Sequence, residues 1–174
     1  MERRFPLAPM SADILLLTTL VLLLPGILVL VLLAAPLPTT GLARVAVWCA
    51  LSVSAGMPFI VWIWSRPTAF VIRGSELEIV WAARRRSLPL RGLESVEIVQ
   101  RHQFRDRYGR AMRVGAGGLW GAFGSAITKS ERFHLYVSRT DRFVLLRPAG
   151  IKPWVLTPAH AEQFVEAVKR AAES

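Results

Sequence analysis

Cysteine is nearly absent from this chain. Cys49 is the only one, which excludes an intrachain disulfide and a cysteine-based zinc cluster. Histidine is almost as scarce, and His102, His134 and His160 fall at no metal-ligand spacing. Acidic residues number 12 against 22 Lys+Arg, so the formal net charge is +10. Charge of either sign is missing from most of the first 65 residues, which hold only Glu2, Arg3, Arg4, Asp13 and Arg44. The remainder therefore carries 19 of the Lys+Arg and 10 of the Asp+Glu. What is abundant is apolar: 53% of the 174 residues are hydrophobic, and the mean hydropathy is +0.40. Grease on one side of Ser65 and charge on the other exclude a simple soluble enzyme, a disordered chain and a polytopic transporter. They leave a membrane-anchored protein with one small basic domain.

Ile14 to Ala35 and Val45 to Ser65 are uncharged runs of 22 and 21 residues. At a rise of about 1.5 Å per residue, about 20 apolar residues cross a bilayer core, so both runs are long enough. The organisation expected is a cytoplasmic N-terminus over 1–12, transmembrane helices over 13–35 and 45–65, and a short external loop over 36–44. A cytoplasmic domain over 66–174 completes it. Pro25-Gly26 is expected to kink or weaken the first helix. Trp62, Trp64 and Arg66 read as an interfacial anchor closing the second. Arg3 and Arg4 flank the first span, Arg66 and Arg73 follow the second, and the tip holds only Arg44. The positive-inside rule then puts both termini in the cytoplasm, in a multi-pass protein of the bacterial inner membrane. A cleaved signal peptide is the competing reading, disfavoured by the length of the first run and the second span that follows it.

After Ala69 the pattern changes to period two. Phe70-Val-Ile72 and Glu76–Trp81 read as a hairpin turning at Gly74-Ser75, with Leu77, Ile79 and Trp81 on its buried face. Arg84-Arg85-Arg86 marks the next turn, and Leu88, Leu90 and Leu93 lead into a strand through Val96 and Ile98. Residues 100–130 break the rhythm: Arg101 to Arg113 reads as a basic loop, and Gly115 to Gly124 as a glycine-rich loop. Strands resume at 133–137, 142–146 and 152–156. Thr157 as N-cap and Pro158 as first helical residue open a terminal helix with a stripe of Ala161, Phe164, Val165 and Val168. Six or seven strands with one helix predict a small barrel or sandwich plugged by that helix. The absence of βαβ alternation speaks against a parallel nucleotide-binding sheet.

These pieces resemble the bacterial pleckstrin-homology-like (PH-like) domains, which often follow one or two transmembrane helices. The resemblance is carried by the hairpin Phe70–Trp81, the segment Leu88–Val96, the stretch Gly117–Gly124 and the end Val155-Leu-Thr-Pro…Phe164. It spans about 67–172. It implies a fold of about seven strands in a bent, mainly-β barrel, capped by a C-terminal α-helix behind a membrane α-helical hairpin. It implies no catalytic residues, and fold alone does not settle function.

No Ser-His-Asp or Cys-His grouping is suggested locally. His134 is expected on the outer face of its strand, and Glu76/Glu78 and Glu94/Glu97 read as solvent-facing. No catalytic residue, metal or cofactor is assigned. The glycine-rich stretch lacks the Gly-Lys-Ser/Thr ending of a phosphate loop. Its Leu119, Trp120 and Phe123 either pack on the barrel or dip into the bilayer or a partner, and close packing accounts for glycines and aromatics together. The basic clusters are the most suggestive feature: Arg84, Arg85 and Arg86 at one turn, and Arg101, Arg105, Arg107, Arg110 and Arg113 opposed only by Asp106. Arginine forks suit phosphate oxygens, so contact with anionic phospholipid headgroups or a partner stands beside a role in topology and solubility. Nucleic acid is not expected, since no recognition motif appears. The function expected is a non-catalytic module that docks an unknown protein partner or itself, oriented by arginine contacts to the bilayer. The alternatives are an anionic-lipid sensor and an uncharacterised membrane enzyme.

Overall fold

A computed structural model gives the fold, with residues 2–34, 41–117 and 119–173 described. Strand β1 (Glu2–Pro6) comes first, followed by two long helices, α1 (Ala12–Ala34) and α2 (Gly41–Ser65). Both are long and apolar enough to cross a membrane. They are apolar on every side and almost wholly uncovered, with Leu16, Leu30, Trp48 and Phe59 all more than 60% exposed. That is a surface suited to lipid rather than water. α1 runs on through Pro25. Most of the expected loop at 36–44 lies outside the described residues.

Beyond the hairpin come β2 (Ala69–Arg73), β3 (Glu76–Val80), β4 (Arg85–Pro89), β5 (Leu93–Val99) and α3 (Arg101–Tyr108). β6 (Met112–Gly117), β7 (Ala122–Ile127), β8 (Arg132–Val137), β9 (Phe143–Pro148), β10 (Trp154–Leu156) and α4 (Ala161–Glu173) complete the chain. The strands form one sheet in the order β1-β2-β3-β4 and a second in the order β5-β9-β10-β8-β7-β6, not closed into a single barrel. The PH-like architecture is present, with more strands than the six or seven expected.

The additional strand in the first sheet comes from the far side of the hairpin. β1 pairs antiparallel with β2, Phe5 opposite Phe70 and Pro6 opposite Ala69. The segment after β1 is held by the domain at almost every step. Leu7 N donates to Thr68 O (3.3 Å), Ala8 N to Thr157 O (2.9 Å) and Ala159 N to Pro6 O (3.0 Å). Ser138 Oγ donates to Ala8 O at 2.6 Å from a fully buried position. The sequence over 1–12 has no alternation long enough to announce a strand, so β1 exists only because β2 offers an edge to it.

Two apolar clusters lie on either side of the six-stranded sheet. One sits between the sheets and under α4: Phe5, Phe70, Leu77, Ile79, Trp81, Val144, Leu146, Trp154, Leu156, Phe164 and Val168 belong to it. The α4 stripe expected from the sequence is all buried. The other cluster lies on the opposite face and contains Val99, Phe133, Leu135, Val137, Leu145 and Val155. Continuous apolar runs such as Val144-Leu-Leu146 and Trp154-Val-Leu156 are what a sheet covered on both faces requires.

Several local expectations are corrected. Arg85 and Arg86 belong to β4, and only Arg84 remains in the turn. The basic loop begins as helix α3. Gln103 Oε1 accepts from Gln100 N at 2.9 Å at its start, and Gly109, at φ 74°, ends it with its N–H on Arg105 O. Phe104 and Tyr108, one turn apart, pack edge-on against Phe133 at 5.2 and 4.9 Å. Arg147 secures the helix's end, donating to Tyr108 Oη (2.8 Å) and to both oxygens of Glu131. An eight-residue helix with two apolar positions is too short to show a periodic stripe.

The glycine-rich loop is mostly the β6–β7 hairpin. Gly115 lies opposite Gly124, and a Cβ on Gly124 would meet Val114 O at 2.5 Å, so the strands approach more closely than side chains permit. α4 begins at Ala161 rather than after Thr157, because residues 157–159 are occupied with the N-terminal segment. Thr157 Oγ1 accepts from Ser138 N (2.9 Å), and the first helical bond runs from Phe164 N to His160 O. His134 is not on an outer face. With both sides of the sheet covered, its ring packs edge-on against Trp154 at 5.5 Å.

Phe5 packs T-shaped on Phe164 at 5.2 Å. Phe5→Ala is expected to cost about 3 kcal/mol of unfolding free energy for the full chain in detergent, and Phe5→Leu clearly less, measured by denaturant unfolding. An unchanged midpoint would refute the integration of β1.

Burial, reinforced by Arg86 and Lys152, pushes the His134 pKa below its ordinary 6.5. The unfolded chain then takes up the proton first, so this contribution is whole above about pH 6.5 and declines as pH falls toward the lowered folded value. Thermal midpoints are expected to drop over that acidic interval, and His134→Gln is expected to flatten the drop.

Candidate functional site

The end of the domain where α1 leaves and α2 returns, the root of the hairpin, is where the expected site residues collect. On the first sheet, β3 and β4 turn back there. Val80 pairs with both Ala69 and Arg85, and Trp81 Nε1 donates to Ser65 O, the last residue of α2, at 3.1 Å. Arg84 lies over the Trp81 ring at 4.5 Å. Arg84 and Arg85 are thereby fixed, exposed, beside the end of α2.

On the second sheet, α3 starts beside the beginning of α1. Arg101 Nη1 lies 3.8 Å from Asp13 Oδ2, and Thr140 Oγ1 donates to the same carboxylate at 3.4 Å. Arg105 and Arg110 share a cavity wall with Ile14 of α1. No carboxylate of the described residues pairs with Arg84, Arg85, Arg105 or Arg110. Two basic groups, separate in sequence and on different sheets, thus meet at one end of the domain.

Two of the eight arginines do not join them. Arg86 is exposed but lies against the domain's aromatic side chains, with its guanidinium 4.9 Å from the Trp154 ring and 3.4 Å from Tyr136 Oη. Arg107 donates to Glu97 at 2.7 Å, and that carboxylate raises its pKa further. Arg113 lies on β6, and its side chain is outside the described residues.

The aromatic residues of the glycine-rich segment do not form a free tip. Leu119 is 8% exposed and Phe123 4%, while half-buried Trp120 stacks edge-on against Trp62 of α2 at 5.0 Å. The Trp120 amide donates to Thr18 Oγ1 of α1 at 2.9 Å, with Trp120 at φ 57°. Thr18 is six residues into α1, so the β6–β7 turn reaches about 9 Å along the helix from its start. Arg66 covers the other side of this contact, 4.3 Å from the Trp62 ring.

Sequence reasoning missed the role of Asp13, Thr18, Ser138 and Arg139 in this arrangement. Asp13 and Thr18 are polar residues at the start of an apolar run, and their placement there was a readable signal. Arg139, held by Asp141 through two 2.7 Å bonds, carried none. Among the histidines, His102 on α3 lies across the sheet from His134, and no group of three His, Cys, Asp or Glu among the described residues is placed to hold a metal ion.

No curated protein and no solved structure matches the chain. One family does: the bacterial PH domain matches residues 68–172, from the first residue before β2 to the last turn of α4. That stretch covers more than half of the sequence and both sheets apart from β1. The chain belongs to the bacterial PH domain family.

Proposed function

We propose that this protein is a non-catalytic interaction module, held at the inner face of the bacterial membrane by its two-helix hairpin and oriented there by arginine contacts to anionic headgroups. The family is one of generally non-catalytic domains, which supports a binding role over an enzymatic one. The observation that carries the reading is the position of Arg84, Arg85, Arg101, Arg105 and Arg110 at the root of the hairpin. Two helices of membrane-spanning length enter and leave at that point. Each such residue near an anionic leaflet contributes about 1 kcal/mol.

The pairing of β1 with β2 supports an even number of crossings, because the two strands must lie on the same side. The excess of Arg near both ends favours the cytoplasmic side. A protein partner or a second copy would dock on the free edge of the six-stranded sheet, beside the root. Among the described residues β6 ends its sheet with an unpaired edge, and it exposes Met112 and Val114 by more than half.

In a Cys49→Ala background, spin labels at Ala83→Cys and His102→Cys are expected to be relaxed strongly by nickel-chelating lipid in nanodiscs containing phosphatidylglycerol. A label at Glu76→Cys, on the far end of the first sheet, is expected to be relaxed little. Equal relaxation at all three would overturn the orientation. A reporter active only outside the cytoplasm, fused at either terminus, is expected to be silent at both. Activity at one end alone would contradict the β1–β2 pairing as well as the topology.

A further inference from the structure

We infer that the cavity between α3 and the outer face of the six-stranded sheet holds one anionic lipid, with one acyl chain on the apolar floor and its phosphate or carboxylate at the arginine rim. This rests on the reading that the hairpin spans a membrane. The cavity measures 380 Å³, within the ~300–1,000 Å³ usual for ligand sites. Its floor is made by Ala122 and Ala126 of β7, Leu135 of β8, Phe143 of β9 and Val155 of β10. The space exists because β7 presents Ala122, Gly124 and Ala126 on that face, where its neighbour β8 presents Phe133, Leu135 and Val137. Gly124 is barred from carrying a side chain by the approach of β6. α3 roofs one part of the sheet with Phe104 and leaves this part open.

The rim is cationic. Arg101 and Arg139 face it already matched by Asp13 and Asp141, whereas Arg105 and Arg110 face it without an acidic partner among the described residues. An apolar floor this size offers water few hydrogen bonds, and a free anion would engage the rim while leaving the floor uncovered. An amphiphile satisfies both. The source is set by Ile14: a residue in the first turn of the membrane-length helix α1 lines the cavity, so the cavity adjoins the level where lipid headgroups give way to chains. Any lipid leaving the leaflet beside α1 would meet the rim first.

The test is native mass spectrometry of the full chain released from detergent. It is titrated with phosphatidylglycerol, with phosphatidylcholine of the same chains, and with glycerol phosphate, and acyl-chain diazirine cross-links are mapped in parallel. One phosphatidylglycerol is expected per chain, with cross-links on β7, β8 and α3. Phosphatidylcholine is expected to bind about tenfold more weakly, and glycerol phosphate not at all. Arg105→Glu with Arg110→Glu is expected to remove the preference for the anionic lipid. Ala126→Leu, which fills the floor, is expected to remove retention of both lipids.

Equal retention of the two lipids, retention of glycerol phosphate alone, cross-links confined to α1 and α2, or unchanged retention in the arginine double variant would each overturn the inference. If Ala126→Leu lowers the melting temperature beyond use, the exposed double variant decides. Arg84→Glu with Arg85→Glu separates the two readings. It should weaken nickel relaxation at position 83 and leave the single retained lipid unchanged. One-to-one lipid retention without relaxation at positions 83 and 102 rejects the headgroup orientation alone, and the reverse result rejects the pocket alone.

Discussion

Every amide between β1 and α1 needs a hydrogen-bond partner where the chain passes from a strand into a helix of membrane length, and much of this structure is the means of providing them. Thr68, Ser138, Thr157 and Ala159 each spend a backbone or hydroxyl group on residues 6–11. Ser11 then accepts the first bond of α1 from Leu15 N. The delayed start of α4 follows from this use of residues 157–159. So does the location of the buried hydroxyl pair, Ser138 Oγ and Thr157 Oγ1 at 3.2 Å, which would be costly to bury without such carbonyl partners. The same clamp draws both ends of the helical hairpin to one place on the domain. Whatever moves α1 therefore pulls directly on β8 and on the turn before α4.

Electrostatics at that place is a matter of which arginines are left over. The surface ion pairs Arg73–Glu2, Arg142–Glu162 and Arg170–Glu166 are exposed and contribute little individually. The half-buried Arg147–Glu131–Tyr108 group is structural, since it ties the end of α3 to β9 and to the start of β8. Arg86 lies against aromatic rings and Arg107 pairs with Glu97, so neither adds to the exposed arginines at the root of the hairpin. The net charge of the whole chain exaggerates that patch and says nothing of its location.

The turn between β6 and β7 links the domain to both helices. Arg66 lies over Trp62, Trp62 meets Trp120 edge-on, and the Thr18 hydroxyl accepts from the Trp120 amide. Aromatic rings with a cation at one end are suited to the boundary between headgroup and chain. Packing of the loop and proximity to lipid were alternatives when weighed on residues alone. The helices themselves provide the packing surface, so the two are compatible here.

The sequence by itself determined the elements whose signal is local: two uncharged runs of membrane length, the β2–β3 hairpin with Leu77, Ile79 and Trp81 inward, the apolar stripe of α4, and the PH-like order of strands. Each depends on a period or a run that neighbours in the chain declare together. Only the tertiary structure decided that Glu2–Pro6 is a strand, that Arg101–Tyr108 is a helix, and that β7 borders a cavity. β1 pairs across the entire hairpin, α3 is too short to hold itself together without Phe133 and Phe143 beneath it, and the cavity is a shortage of side chains on β7 visible only against the full-sized row of β8. The choice among the arginines was non-local for the same reason: Glu97, Trp154 and Asp13, which sort them, come from other strands and helices that the fold alone brings within reach.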